Sequence, residues 1–315
     1  MFSQTQRMTS PTGADLAWHR AEAAGAARGV LLVCHGLSEH SRRYARFADA
    51  MAAHGFHVYA HDHRGHGETR APDAIRGQFA PRGGARKALA DVAAMRAMVR
   101  AAHPGLPLIL FGHSMGGLIA LNAAEEEPSG YDGVAVWNSN FNAGLAGRAG
   151  QAILAVERAL KGSDVPSETL TALTFGAWKK KIADPRTDFD WLSKDAAEVD
   201  AYIADPLCGF DATVSLWIDL FALCYGGASQ ERLARLPKGL PVHLLGGSED
   251  PATNGGRETR WLAERMRAAG LTDVSLSVLN GFRHETLNEV GRDAATEAFA
   301  AWARGVAARR SAGGH

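Results

Sequence analysis

The stretch LILFGHSMGGLIA, residues 108–120, decides how the chain reads. Four apolar residues run into Gly112, the signature of a strand covered on both faces, and a helix-forming run follows from Met115. Between them lies Gly112-His113-Ser114-Met115-Gly116, a GxSxG pentad. A tight strand-to-helix turn holds such a serine in a strained backbone conformation with its hydroxyl exposed. The flanking glycines let neighbouring segments pass without a Cβ clash. The helix N-terminus adds unpaired N–H groups and a field that favours a developing oxyanion. Ser114 is therefore the candidate nucleophile.

A serine hydroxyl is a weak nucleophile, and needs a base that is itself oriented by a carboxylate. On this kind of sheet the chain order is serine, acid, histidine. The strand in GLPVHLLGGSEDP ends beside Asp250, and VSLSVLNGFRHETLNE places His284 after the last strand, both at carboxyl ends where ligands bind in open α/β sheets. Glu249 is the neighbouring alternative acid, Asp273 stands at the wrong end of its strand, and His315 in the tail is the other late histidine. One oxyanion donor is expected from the backbone N–H of Met115. The second is expected from Leu37, after His35-Gly36 in VCHGLSEH. A histidine base of ordinary basicity predicts activity rising through about pH 6–7. Cys34, inside the strand, reads as inert core.

Outward from the pentad, strand-like and helix-like segments alternate. GVLLVCHG, FHVYAHD, LPLILFGHS and YDGVAVWNS read as strands; RYARFADAMAAHG, ARKALADVAAMRAMVRAAHPG and MGGLIALNAAEEE read as helices. The rhythm stops near Asn140 and resumes with GLPVHLLGGSED. The expected fold class is α/β, a mostly parallel sheet flanked by helices, with residues 1–140 and 229–315 as core and 141–228 as an inserted helical cap. The cap segment holds 10 of the 24 aromatic residues in 88 positions, more than its share by length. Within it LAGRAGQAILAVERALKG puts Leu145, Ile153, Val156 and Leu160 on one helical side, the expected apolar underside.

Lys+Arg and Asp+Glu both total 34, so no net field favours nucleic acid or an anionic membrane. With 46% hydrophobic and 22% charged residues the chain is of ordinary globular composition. Cys34, Cys208 and Cys224 form no CxxC pair, which argues for a reducing, cytoplasmic setting without disulfides. The N-terminus lacks the basic start and apolar run of a signal peptide. VSLWIDLFALCYGG, the most apolar stretch, is interrupted by Asp219 and is shorter than the roughly 18–20 residues of a membrane span. No internal repeat is present.

HGLSEHSRRYARFADAMAAHGFHVYAHDHRGHGET, GHSMGG, SED and RHETLNE together resemble the α/β-hydrolase superfamily, and within it the monoacylglycerol lipase and lysophospholipase group. The resemblance covers nearly the whole chain, including the cap phrases TDFDWLSKD and DPLCGF; it departs at the N-terminus, where the strands are short and Ala/Gly-rich. It implies an α/β-hydrolase fold and cleavage of a single-acyl-chain ester, a monoacylglycerol or lysophospholipid, through an acyl-serine intermediate and without a cofactor. A general short-chain carboxylesterase or an aminopeptidase-like serine hydrolase stays open beside it. Substrate contacts are expected at His113, Trp178, Trp191, Phe210 and Trp217, with Phe175 and Phe221 nearby, and a transient lipid-interface contact is compatible with this chemistry. Oligomeric state is not legible.

A remote alternative is zinc chemistry. YAHDHRGHGET, residues 59–69, sets His61, His63 and His66 at the histidine spacing of a zinc-hydrolase signature, but Gly65 stands where that signature has aspartate. Metal sites need three or four convergent ligands, and no second histidine pair is evident. In the resembling family the phrase is a structural loop, with Asp62, Arg64 and His66 tied into hydrogen bonds.

Overall fold

A computed structural model describes residue 2 and residues 4–313; His315 lies outside the described residues. Eight strands, β1 (Gln6–Thr9), β2 (Asp15–Ala21), β3 (Gly29–Cys34), β4 (Phe56–His61), β5 (Leu108–His113), β6 (Gly133–Trp137), β7 (Val242–Gly247) and β8 (Val274–Leu279), form one sheet in the order β1-β2-β4-β3-β5-β6-β7-β8. The β1–β2 and β2–β4 pairs are antiparallel, and every other neighbour is parallel. Around the sheet run helices α1 (Ala45–Ala53), α2 (Gly84–Ala102), α3 (Met115–Glu126), α4 (Gly144–Lys161), α5 (Glu168–Thr171), α6 (Ala177–Lys179), α7 (Ala196–Ala204), α8 (Val214–Gly227), α9 (Gln230–Leu233), α10 (Arg257–Ala268) and α11 (Arg292–Gly313). This is the α/β-hydrolase arrangement.

The central strands are apolar throughout because both faces are covered. Val30, Leu32, Cys34, Leu108 and Leu110 point into one core with residues of α2, α3, α8 and α10. Leu31, Val33, Ile109 and Phe111 point into the opposite core with Phe47 and Met51 of α1 and Phe299 and Ala303 of α11. Alternation along each strand thus feeds two cores at once. Parallel strands all send their carboxyl ends to one edge, so the turns after β3, β5, β6, β7 and β8 converge there.

For the edge hairpin of β1 and β2 the sequence reading gives only short, Ala/Gly-rich N-terminal strands without bounds, whereas QRMT and DLAWHRA hold no glycine. The hairpin's burial alternates in β1, and β2 carries Asp15, His19 and Arg20, so it lacks the all-apolar run that marks the central strands. Leu16 and Trp18 still reach the core.

Helix α4 corrects one expectation. Leu145, Val156 and Leu160 are 88%, 58% and 79% exposed, and Ile153 is only partly buried. The buried side instead carries Gly147, Gly150, Leu154 and Glu157. The two glycines leave room for α8 to approach: a Cβ on Gly147 would come within 2.3 Å of the Tyr225 hydroxyl, and one on Gly150 within 3.1 Å of the Phe221 ring. Close approach of backbone, rather than the largest side chains, selects the inward face. Helix α8 itself packs on α2 and α3 and shares their core. No helix among the described residues is long and apolar enough to cross a membrane.

Candidate active site

Ser114 stands between β5 and α3 with φ 55° and ψ −119°, a conformation that costs a non-glycine residue on the order of 1–3 kcal/mol. The surroundings enforce it. A Cβ on Gly112 would sit 2.1 Å from the Gly116 carbonyl oxygen, and one on Gly116 would sit 2.0 Å from that of Cys34. The Ser114 amide donates to the Trp137 carbonyl, and the Ser139 hydroxyl donates to the Ser114 carbonyl at 2.8 Å. The turn is thereby fixed from β3 on one side and from the end of β6 on the other.

The structure brings the three sequence candidates into one line. Ser114 Oγ lies 2.9 Å from His284 Nε2, and His284 Nδ1 lies 3.0 Å from Asp250 Oδ1. With Nδ1 donating to the carboxylate, Nε2 presents its lone pair to the hydroxyl. Asp250 is fully buried and also accepts from the Ala252 amide, Asn138 Nδ2 and Thr253 Oγ1. Burial pushes its carboxyl up, but its interaction with His284 and the hydrogen bonds from His284, Asn138 and Thr253 outweigh it and hold the group below its ordinary value. Glu249, the alternative acid, turns outward and pairs with Lys194 at 2.8 Å. An oriented imidazole against a serine hydroxyl can accept a proton during attack on an acyl carbon and return it to a leaving group.

Leu37 and Met115 both line the cavity over Ser114. Met115 opens α3, so its amide has no acceptor within the helix. The cavity measures about 460 Å³, and its wall includes Trp178, Trp191, Phe210, Trp217, Phe175 and Phe221, all named from the sequence. Trp191 and Trp178 put their rings 5.2 and 6.1 Å from that of His284. His113 also borders the cavity, but Nε2 donates to the His284 carbonyl at 3.0 Å and Nδ1 is 3.5 Å from Glu39. Asn138, with φ 49°, is a residue the sequence reading missed: it links Asp250 to Thr286, whose hydroxyl donates to Asn138 Oδ1 at 2.9 Å. Its only sequence signal is its place directly after an apolar strand.

The histidines of residues 61–66 are buried away from this cavity. His61 and His63 stack edge to face at 4.7 Å, and His63 lies 4.4 Å from His35. Burial pushes His61 and His66 down to about 3 and holds His63 well below the ordinary histidine value, so the rings are neutral. Their nitrogens do not gather as a three-ligand group; among the described residues the set that does is His40, Asp205 and Cys208, where His40 Nε2 is hydrogen-bonded to Asp205 at 2.9 Å. Asp62 accepts from the Ser41 amide and hydroxyl and from the Glu68 amide, and Arg64 pairs with Asp73 at 2.8 Å. The phrase ties loops together.

Known proteins resemble this chain in sequence and in fold. The family described as serine aminopeptidase, S33 matches residues 25–291. A monoacylglycerol lipase of Mycolicibacterium smegmatis is 29% identical over 287 residues, covering 87% of this chain and 88% of its own. The human monoglyceride lipase is 32% identical over 262 residues, covering 82% of this chain and 76% of its own. Among solved structures, a thermostable carboxyl esterase of Bacillus coagulans in complex with glycerol superposes with a TM-score of 0.88 at 24% identity, covering 96% of this chain and 98% of its own, a likeness of fold.

Proposed function

The chain belongs to the serine aminopeptidase S33 family of α/β-hydrolases, and we propose that it is a monoacylglycerol lipase, an ester hydrolase that releases one acyl chain from glycerol. The observation that carries this reading is the hydrogen-bonded line Ser114–His284–Asp250 opening on an aromatic-walled cavity of about 460 Å³. Ser114 Oγ attacks the ester carbonyl as His284 Nε2 takes its proton, and Asp250 holds the imidazole by Nδ1. The amides of Leu37 and Met115 receive the oxyanion. His284 then protonates the glycerol oxygen as the C–O bond breaks, and a water activated by His284 releases the acyl group from Ser114.

Charge on the wall disfavours an anionic head group. Glu168, Asp188 and Asp211 line the cavity against one lysine, Lys179, which is itself paired with Asp188. A lysophospholipid phosphate meets like charge there, whereas a glycerol does not. Glu39 and Glu285 are held by Arg43, so neither is free for the ammonium of an aminopeptidase substrate.

Residues 141–228 serve as the cap, since most of the aromatic wall comes from them. Its outer side, with Leu145, Val156, Leu160 and Leu173 exposed, suits contact with a lipid interface. The deciding experiment compares monoacylglycerols, lysophospholipids, short esters and aminoacyl amides as substrates of the wild type and Ser114→Ala. The expected order puts monoacylglycerols first in kcat/KM, with turnover lost in the variant. Faster cleavage of aminoacyl amides, or turnover surviving without Ser114, would sink the reading.

A further inference from the structure

In the wall of the cavity lies a buried ionic cluster that the reaction as described does not use. Glu39 follows the oxyanion turn, and its Oε1 accepts the Gly36 amide at 2.6 Å and the Tyr44 hydroxyl at 2.8 Å. Its Oε2 accepts from Arg43 Nη1 at 2.7 Å. The same guanidinium grips Glu285, the residue after His284, through two bonds of 2.5 and 2.7 Å. His113, the residue before Ser114, completes the set by donating to the His284 carbonyl at 3.0 Å and facing Glu39 Oε1 at 3.5 Å. Glu39, Glu285 and His113 are 3%, 5% and 6% exposed. Three chain segments that must converge on one ester, the oxyanion turn, the nucleophile turn and the base loop, are therefore joined by one polar network.

Resting on the serine-hydrolase reading, we propose that Glu39 and His113 are positioning residues: the carboxylate fixes the Gly36 peptide beside the Leu37 oxyanion donor, and the His113 ring braces the main chain of His284 against it. Charge accounting supports the pairing. Glu39 and Glu285 are two buried carboxylates facing one guanidinium, and a buried unpaired charge is costly. A protonated His113 restores neutrality. Burial pushes the His113 imidazole down, but Glu39, Glu285 and the His284 carbonyl outweigh it and raise it above the ordinary histidine value. The charged and titratable groups facing this cluster are Glu39, Arg43, Tyr44, Glu285, His284 and, behind Glu39, His35, with Tyr202 and Cys208 beside Arg43. A raised histidine holds its contribution at low pH and loses it as pH climbs through its folded value. The network therefore loosens on the alkaline side.

The test measures kcat and KM on a dissolved short ester from neutral to alkaline pH, for wild type, Ser114→Ala, Glu39→Gln and His113→Gln. Glu39→Gln keeps the shape and an acceptor for Gly36 but removes the counter-charge of His113. The expected result is a kcat about 10- to 10²-fold lower, with KM within about twofold, and an alkaline limb moved to lower pH. His113→Gln is expected to lose the alkaline limb. A wild-type kcat and an unmoved limb in Glu39→Gln, with Ser114→Ala inactive, overturn the positioning role and leave the nucleophile standing. Turnover surviving in Ser114→Ala overturns both. Should the variants not fold, NMR titration of His113 in the wild type decides: a ring already neutral at neutral pH overturns the proposal.

Discussion

Ser114 shows how much backbone one hydroxyl requires. Its positive φ survives because no Cβ fits at Gly112 or Gly116, where the nearest carbonyl oxygens would be 2.1 and 2.0 Å away. Gly116→Ala should accordingly lower stability by about 1–3 kcal/mol, read as a lower denaturation midpoint, and impair turnover in whatever protein still folds. Ser114→Ala should reduce kcat by roughly 10⁴–10⁶-fold while the melting temperature holds or rises, because the strained side chain contributes chemistry and not packing. An unchanged rate would remove the nucleophile. These residues were legible early, since a GxSxG pentad needs only its own strand and helix to be recognised. Asn138 and Thr253 were not legible. They hold Asp250 through contacts between turns far apart in sequence, and no local spacing announces such a contact.

At the scale of elements, Asp219 has two readings. In the sequence it merely interrupts an apolar run. In the structure it leaves α8 to face the amides of Gly84 and Ala85 at the start of α2, where it favours the helix field, yet burial raises its carboxyl to about 6. The raised value makes its contribution complete below the ordinary value of 3.8, and lost as pH rises through about 6. Thermal melts of wild type and Asp219→Asn between those limits should show the wild type losing on the order of 2–3 kcal/mol relative to the variant. Parallel curves would discard this. Helix α4 offers a second comparison: Leu154→Ala, at a fully buried site, should cost about 2–5 kcal/mol, and Leu160→Ala, at an exposed one, within about 0.5. Equal losses in a denaturant titration would mean that α4 faces the other way. The leucines of α4 read as an underside because periodicity reports that a helix has sides and not which side its neighbour covers.

Over the whole molecule, the sheet sets the site and the segment between β6 and β7 supplies most of the cavity wall over it. Leu145, Val156 and Leu160 form an outward apolar strip on that segment, 58–88% exposed. Replacing Leu145 and Leu160 together by serine should lower the rate on monoacylglycerol presented in vesicles by several-fold relative to the rate on a dissolved short ester. A ratio equal to that of the wild type would deny the strip a role at the lipid surface. The same segment joins the catalytic edge from above: the Glu285 amide donates to the Leu192 carbonyl at 2.7 Å, and Tyr202 donates to that of Ser38 at 3.0 Å.

What the sequence determined by itself was whatever is local in the chain: the buried strands, the strained turn carrying Ser114, and the placement of Asp250 and His284 just after strands. Each is fixed by a few adjacent residues, through apolar runs, glycine geometry and placement at strand ends. What only the tertiary structure decided was whatever needs two distant segments to meet. The inward face of α4, the donors around Asp250, the pairing of Glu39 with His113 and the neutrality of the His61–His66 rings all arise from packing between elements. Burial and charge there depend on which neighbours arrive, and chain spacing does not encode that.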